Sequence, residues 1–242
     1  MLKRAFVFLI MAVIFLLENK YKTNYDEVLN DFAFVFGKEV TVKRRAKTEP
    51  RPSEGGGLKF AETLVEARDA QIDERAREAL AFCEAEGYST DFCVLIDMKI
   101  HSGKHRMFVY DFKNMEVERA ALVAHGSGKG DKRSTGGEPL FGNEKGSKLT
   151  SLGKYRIGAR DYSNWGINVH YKLHGLEAGN SNAFERIVVL HSYTPVPSFE
   201  IYPVHLPMGW SEGCPVTDDN TMDWLDAKLQ SAEKPVLLWI FY

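Results

Sequence analysis

Hydrophobic and polar positions alternate with three different rhythms along this chain. The first is an unbroken apolar run of thirteen residues from Ala5 to Leu17, preceded by Lys3-Arg4 and ended by Glu18. The second runs from Phe60 to Glu86, where Leu64, Ala67, Ile72, Ala76, Ala79, Leu80 and Phe82 recur at roughly helical spacing and Gly87 supplies a stop. That spacing predicts an amphipathic helix over 60–87. After Gly87 the rhythm shortens to strand-like runs: Phe92–Ile96 and Arg106–Tyr110 about a polar turn at Ser102-Gly103-Lys104, then Val117–Val123, Gly153–Ala159, Ile167–Leu173, Ile187–His191 and Val236–Phe241. A glycine-rich loop spans Gly126–Gly146, and a helix is expected over Asp219–Gln230 with Asp218 or Asp219 as its cap. The pattern reads as a mainly β domain over 88–242 with a helix in front, and it shows no internal repeat.

The first rhythm has its own meaning. A basic flank followed by a short apolar stretch is the pattern of an export signal, and thirteen residues fall short of the roughly 20 that span a bilayer comfortably. Leu16-Leu17-Glu18-Asn19 is a poor cleavage site, so residues 1–19 read as a signal peptide or, if uncleaved, as an anchor through residues 5–17. Residues 20–59 read as a juxtamembrane segment, with a short helix over Tyr25–Phe36 and a flexible linker marked by Pro50, Pro52 and Gly55-Gly56-Gly57. The formal charge of −2 and the lack of a dense basic block exclude bulk attraction to nucleic acid. Of the three cysteines, Cys83 and Cys93 are close enough in sequence to bridge, though burial as one helical and one strand thiol is the simpler reading. Cys214 is the odd one out.

Cys214 also has the most suggestive neighbourhood. In Ser211-Glu212-Gly213-Cys214-Pro215 the glycine permits a conformation that a side chain opposes, and the proline fixes the exit. A thiol on such a bend becomes a nucleophile when a neighbour lowers its pKa or takes its proton, and His191 ends a predicted strand nearby. The Gly213 and Cys214 amides are candidate donors to a developing oxyanion. Other motifs carry less. His125-Gly126-Ser127-Gly128-Lys129-Gly130 lacks P-loop spacing and reads as a mobile loop or one lining a cleft. His170 and His174 are four apart on a strand, too far to share a metal without bending, and there is no CxxC pair, so no metal site is expected.

Several segments taken together resemble the murein L,D-transpeptidase catalytic-domain family: Val123-Ala124-His125-Gly126-Ser127-Gly128, Phe141–Lys148, Thr150–Tyr155, Leu176-Glu177, Val189-Leu190-His191 and Ser211–Pro215. The similarity runs in matching order from about Asp91 to the C-terminal strand. It implies a mainly β (α+β) fold, an L,D-transpeptidase-like β-sandwich behind the amphipathic helix, with residues 60–242 as the catalytic domain. It implies Cys214 as nucleophile, His191 as base, and Ser211 and Gly213 shaping the turn. Substrate contacts are expected from His125, Tyr155, Arg156, Arg160 and Trp210, with no cofactor. The partners implied are donor and acceptor peptidoglycan stem peptides, in the periplasm or cell envelope. The implied reaction releases D-alanine through a Cys214 thioester and forms 3–3 cross-links. The alternatives are an L,D-carboxypeptidase or amide hydrolase with the same dyad, and a non-catalytic peptidoglycan-binding module. Glu212 stands where many members have histidine, Val216 where they have arginine, and Ser192 follows the base where glycine is common. Arg156 or Arg160 is therefore expected to receive the substrate carboxylate. The excursion between His191 and Cys214 carries Pro195, Pro197, Pro203 and Pro207, reads as a stiff lid, and holds His205 as a rival base.

Overall fold

The computed structural model describes residues 55–129, 135 and 137–242. The apolar run 5–17 and the helix expected at 25–36 lie outside the described residues. Helix α1 covers Gly55–Glu86, so Gly55-Gly56-Gly57, expected in a linker, form its first turn instead. Further along, Ile72, Ala76, Ala79 and Cys83 are fully buried at helical spacing.

Eight strands follow: β1 Phe92–Asp97, β2 Met107–Asp111, β3 Glu116–Ala121, β4 Gly153–Tyr162, β5 Val169–Gly175, β6 Val189–Ser192, β7 Val216–Thr217 and β8 Leu237–Phe241. Helix α2, Asp219–Gln230, lies between β7 and β8, and the Asp218 carboxylate caps it by accepting from the Thr221 amide. The strands form one sheet in the order β3-β2-β1-β8-β4-β5-β6-β7. Pairing is antiparallel except at β1–β8 and β6–β7.

Strand alternation divides the core between the two faces of this sheet. Cys93, Leu95, Phe108, Tyr110, Leu237 and Phe241 pack with the buried stripe of α1. Their neighbours Val94, Ile96, Met107, Val109, Leu238 and Ile240 point the other way, into one cluster with Tyr155 and Leu173, Leu190 of β6, and Met222, Leu225 and Leu229 of α2. Strands from both ends of the sheet thus share one core, so the sheet rolls over on itself like a sandwich. Each large apolar side chain buried this way contributes roughly 2 kcal/mol. Cys83 and Cys93 are free, buried thiols in the helix-side cluster, and burial pushes Cys83 up to about 12.

Where the roll closes, the functional region begins. The expected strand 117–123 ends at Ala121, and the chain breaks away so that Ala124 pairs with Val216 of β7. The two edges of the sheet therefore meet beside Cys214. Leu122, Ala124, Val196, Leu206 and Val216 make a small third core beneath that meeting point.

Candidate active site

Residues 211–215 form a tight turn shaped from within. The Gly213 amide donates to Ser211 Oγ (3.0 Å), and Ser211 Oγ donates to the Cys214 carbonyl (2.5 Å). Gly213 adopts φ +124°, in the region that favours glycine. This bonding corrects one expectation: the Gly213 amide is committed to Ser211, so the Cys214 amide is the remaining donor of the expected pair.

Cys214 precedes β7 and is half-buried, with its sulfur against the start of β6. The Val189 amide donates to Sγ (3.4 Å), and Sγ lies 3.8 Å from the Ile187 carbonyl. Ile187 holds φ +59°, rare for a β-branched residue, and is 73% exposed. Burial raises the thiol above its ordinary value; the Val189 amide and the Arg186 guanidinium oppose this, while the Glu212 carboxylate adds to it.

His191 reaches the same place from β6. It pairs with Val216 across the parallel β6–β7 ladder and with His170 across β5. With its proton on Nδ1, the ring donates to the Ser192 carbonyl (2.9 Å), which leaves Nε2 as an acceptor. Burial lowers its pKa, the Ser192 carbonyl opposes that, and His170 reinforces it, so the ring is neutral near pH 7. Among the described residues the hydrogen-bond partners of Sγ are Val189 and Ile187, and the imidazole is not one of them.

Both side chains line one cleft of about 380 Å³, with Trp165, Tyr193, Trp210, Ser211 and Glu212. Trp165, Tyr193 and Trp210 form an aromatic wall of successive edge-on contacts at 5.6 and 5.7 Å. Lys148 forms an ion pair with Glu212 beside the nucleophile.

Most of the expected substrate contacts lie elsewhere. His125 is buried, accepting from Arg106 Nη2 (2.8 Å) at Nδ1 and donating from Nε2 to the Thr135 carbonyl (3.1 Å). Tyr155 is buried and donates to the Ser151 carbonyl (2.7 Å). Arg160 is held in a two-point pair with Asp226 at 2.8 and 2.9 Å, and Arg156 is exposed on β4 opposite His174. Of the five, Trp210 alone lines the cleft. The rival base His205 is bound to Ser102 Oγ (2.9 Å) and stacked on His101 (3.6 Å). It fastens the proline-rich excursion to the β1–β2 connection, where the Ile201 and Tyr202 amides also donate to the Gly103 carbonyl.

The L,D-transpeptidase catalytic domain family matches residues 66–239. The chain belongs to that family. A crystal structure of L,D-transpeptidase residues 123–326 from Xylanimonas cellulosilytica is similar at 13% identity, covering 63% of this chain and 61% of that one with a TM-score of 0.35. The helical cell shape determining protein Pgp2 from Campylobacter jejuni is similar at 15% identity, covering 62% of this chain and 46% of that one with a TM-score of 0.39. The chain thus spans less than two thirds of either protein. No curated protein matches it by sequence.

In this L,D-transpeptidase domain, backbone packing leaves no room for side chains around the Gly213 turn. A Cβ on Gly213 would lie 2.8 Å from the Leu149 carbonyl oxygen, and one on Gly126 would lie 2.9 Å from Gly213 Cα. Gly213→Ala is therefore expected to displace Cys214, destabilise the fold by about 2 kcal/mol and slow alkylation of the thiol; a thermal melt and a timed iodoacetamide reaction check both. The sequence reading also missed Trp165, Tyr193 and Arg186. The first two are aromatics in loops with no motif to mark them, and Arg186 sits in a turn remote in sequence from Cys214.

Proposed function

We propose that the protein is an exported cysteine-nucleophile acyltransferase acting on peptidoglycan stem peptides, releasing D-alanine and forming 3–3 cross-links. The observation that carries this reading is a half-buried thiol on a glycine turn, sharing one cleft with a neutral histidine whose tautomer is fixed by a backbone carbonyl. His191 Nε2 takes the Cys214 proton, and the thiolate attacks the carbonyl of the third stem residue. The oxyanion is stabilised by the Cys214 amide. The C–N bond to D-alanine breaks as the amine takes the proton from His191, leaving a thioester. An acceptor amine then attacks the thioester, gives its proton to His191 and forms the new amide, and the thiol is restored. Water in place of the amine gives carboxypeptidase action. The aromatic wall of Trp165, Tyr193 and Trp210 binds the stem.

Export rests on Lys3-Arg4 and the apolar run 5–17. If uncleaved, that segment anchors the protein to the cytoplasmic membrane, with the domain in the periplasm or cell envelope. Among the described residues no helix is long and apolar enough to cross a membrane.

A second reading, a stem-binding module with little turnover, is favoured by one observation: Sγ is bonded to the backbone of Ile187 and Val189 rather than to His191. Against it, catalytic hydrogen bonds commonly tighten only with substrate in place. Mass spectrometry of the full chain incubated with tetrapeptide-stem muropeptides, with and without acceptor stems, separates the readings. Expected are a thioester on Cys214, free D-alanine and a cross-linked dimer. D-alanine without the dimer marks carboxypeptidase action, and stem binding without either product marks the module.

A further inference from the structure

Arg186 occupies the turn leading into β6, held there by its amide, which donates to the Asn182 carbonyl (2.8 Å). Its half-buried guanidinium points inward. Nη1 donates to the Gly142 carbonyl (2.9 Å) and Ser151 Oγ (2.7 Å), and Nη2 donates to the Leu149 carbonyl (2.5 Å). Nη2 also lies 3.0 Å from where a Gly213 Cβ would stand, so the guanidinium backs directly onto the residue before the nucleophile.

Two features of this arrangement matter. All three acceptors are neutral, so they satisfy the N–H groups without cancelling the charge. Carboxylates close by are engaged with other cations: Glu185 with Lys145 (3.0 Å) and Glu212 with Lys148. A partly desolvated cation surrounded by neutral partners acts strongly on nearby groups able to become negative. Those groups are Tyr155 and the Cys214 thiol; burial keeps the proton on Tyr155, whose hydroxyl donates it to the Ser151 carbonyl, so the thiol is the one left to respond. Val216, two residues beyond Cys214, is apolar and fully buried, so the turn itself supplies no cation.

We propose that Arg186 is a positioning residue that stabilises the Cys214 thiolate from behind the Gly213 turn, while its planar fork ties the 142–151 loop to that turn. The inference rests on Cys214 being the nucleophile. The guanidinium exchanges no proton in the reaction: the thiol proton goes to His191, and Arg186 lowers the energy of the sulfur anion left behind. Glu212 opposes it, but Glu212 is exposed and paired, so its field is screened more strongly. The two roles of Arg186 call for different side chains. Lysine keeps the charge and loses the fork; glutamine keeps some hydrogen bonding and loses the charge.

The test is the pH dependence of Cys214 alkylation by iodoacetamide in the full chain, read by peptide mass spectrometry so that the buried Cys83 and Cys93 do not contribute. In Arg186→Gln the midpoint is expected to rise by about one unit, with the rate at pH 7 falling about tenfold. In Arg186→Lys the midpoint is expected to stay within a few tenths of wild type, while the melting temperature drops through loss of the fork. A purely structural role would lower both melting temperatures and leave both midpoints in place. A folded Arg186→Gln with the wild-type midpoint overturns the proposal. If that variant does not fold, Arg186→Lys decides: a midpoint raised by a full unit with the charge retained also overturns it. Wild-type Cys214 that reacts at no pH would instead overturn the nucleophile itself. A reactive Cys214 indifferent to residue 186 removes only the role of Arg186.

Discussion

Cys214→Ala is expected to eliminate D-alanine release and cross-linking, a loss of at least about a thousandfold in kcat, because the thiol carries the acyl group and the Ser211 hydroxyl left in the cleft is committed to the carbonyl of residue 214. The fold should survive. Among the described residues Sγ has two long hydrogen-bond contacts, 3.4 Å from the Val189 amide and 3.8 Å from the Ile187 carbonyl, and the half-buried residue packs at the margin of the small core of Leu122, Val196 and Val216. The turn that presents it is closed by the Ser211 hydroxyl and by backbone atoms, which alanine leaves in place. Stability should therefore change by no more than about 1 kcal/mol. Measuring turnover on tetrapeptide stems alongside a thermal melt checks both parts. Turnover retained in a folded Cys214→Ala would sink the thioester mechanism, whereas turnover lost together with the fold would say nothing specific about sulfur. Cys214→Ser sharpens the test: a serine hydroxyl is far less acidic than a thiol and should stay close to the alanine variant.

Elements with strong local periodicity were legible in the sequence. Helix α2 is bounded at Asp219 and Gln230 as its capping aspartate and apolar spacing predict, and seven of the eight strands lie within a few residues of the apolar runs that announce them. The missing strand, β7, is two residues long and exists because β6 and the chain after β3 offer it partners; no two-residue run carries a period. The same division runs through the site. The Cys214 turn and His191 were visible because glycine, proline and a strand end are local signals. Which other side chains line their cleft was not. His125, Tyr155 and Arg160 have suitable chemistry, but each is consumed by a partner brought in by the tertiary fold: Arg106, the Ser151 carbonyl and Asp226. Arg186 is the reverse case. Nothing around it in sequence points to Cys214, and only the roll of the sheet brings the turn before β6 behind Gly213.

His191→Ala is expected to lower kcat/KM by about 10²–10⁴-fold, the range for a general base, and to change the shape of the pH profile. In the wild type, burial holds the imidazole pKa below 6.5, so lowering the pH removes the base only below the ordinary histidine range. The acid limb of the wild-type profile should therefore fall below pH 6.5. Without the imidazole that limb disappears, and the rate follows the thiolate alone. Because burial also raises the Cys214 thiol, the variant should recover activity only on the alkaline side. Stability has its own signature. The folded-state pKa of His191 is depressed relative to the unfolded chain, so its contribution is fully present above the unfolded value and is lost as the pH falls through the folded one. His191→Ala should flatten that part of the acid unfolding curve. His205→Ala provides the contrast. It removes the stack on His101 and the bond to Ser102, so it should loosen the excursion and lower the melting temperature while leaving the acid limb in place. An acid limb that vanishes with His205 and persists without His191 would transfer the base to the excursion, and the fixed tautomer at Ser192 would then have only a structural meaning.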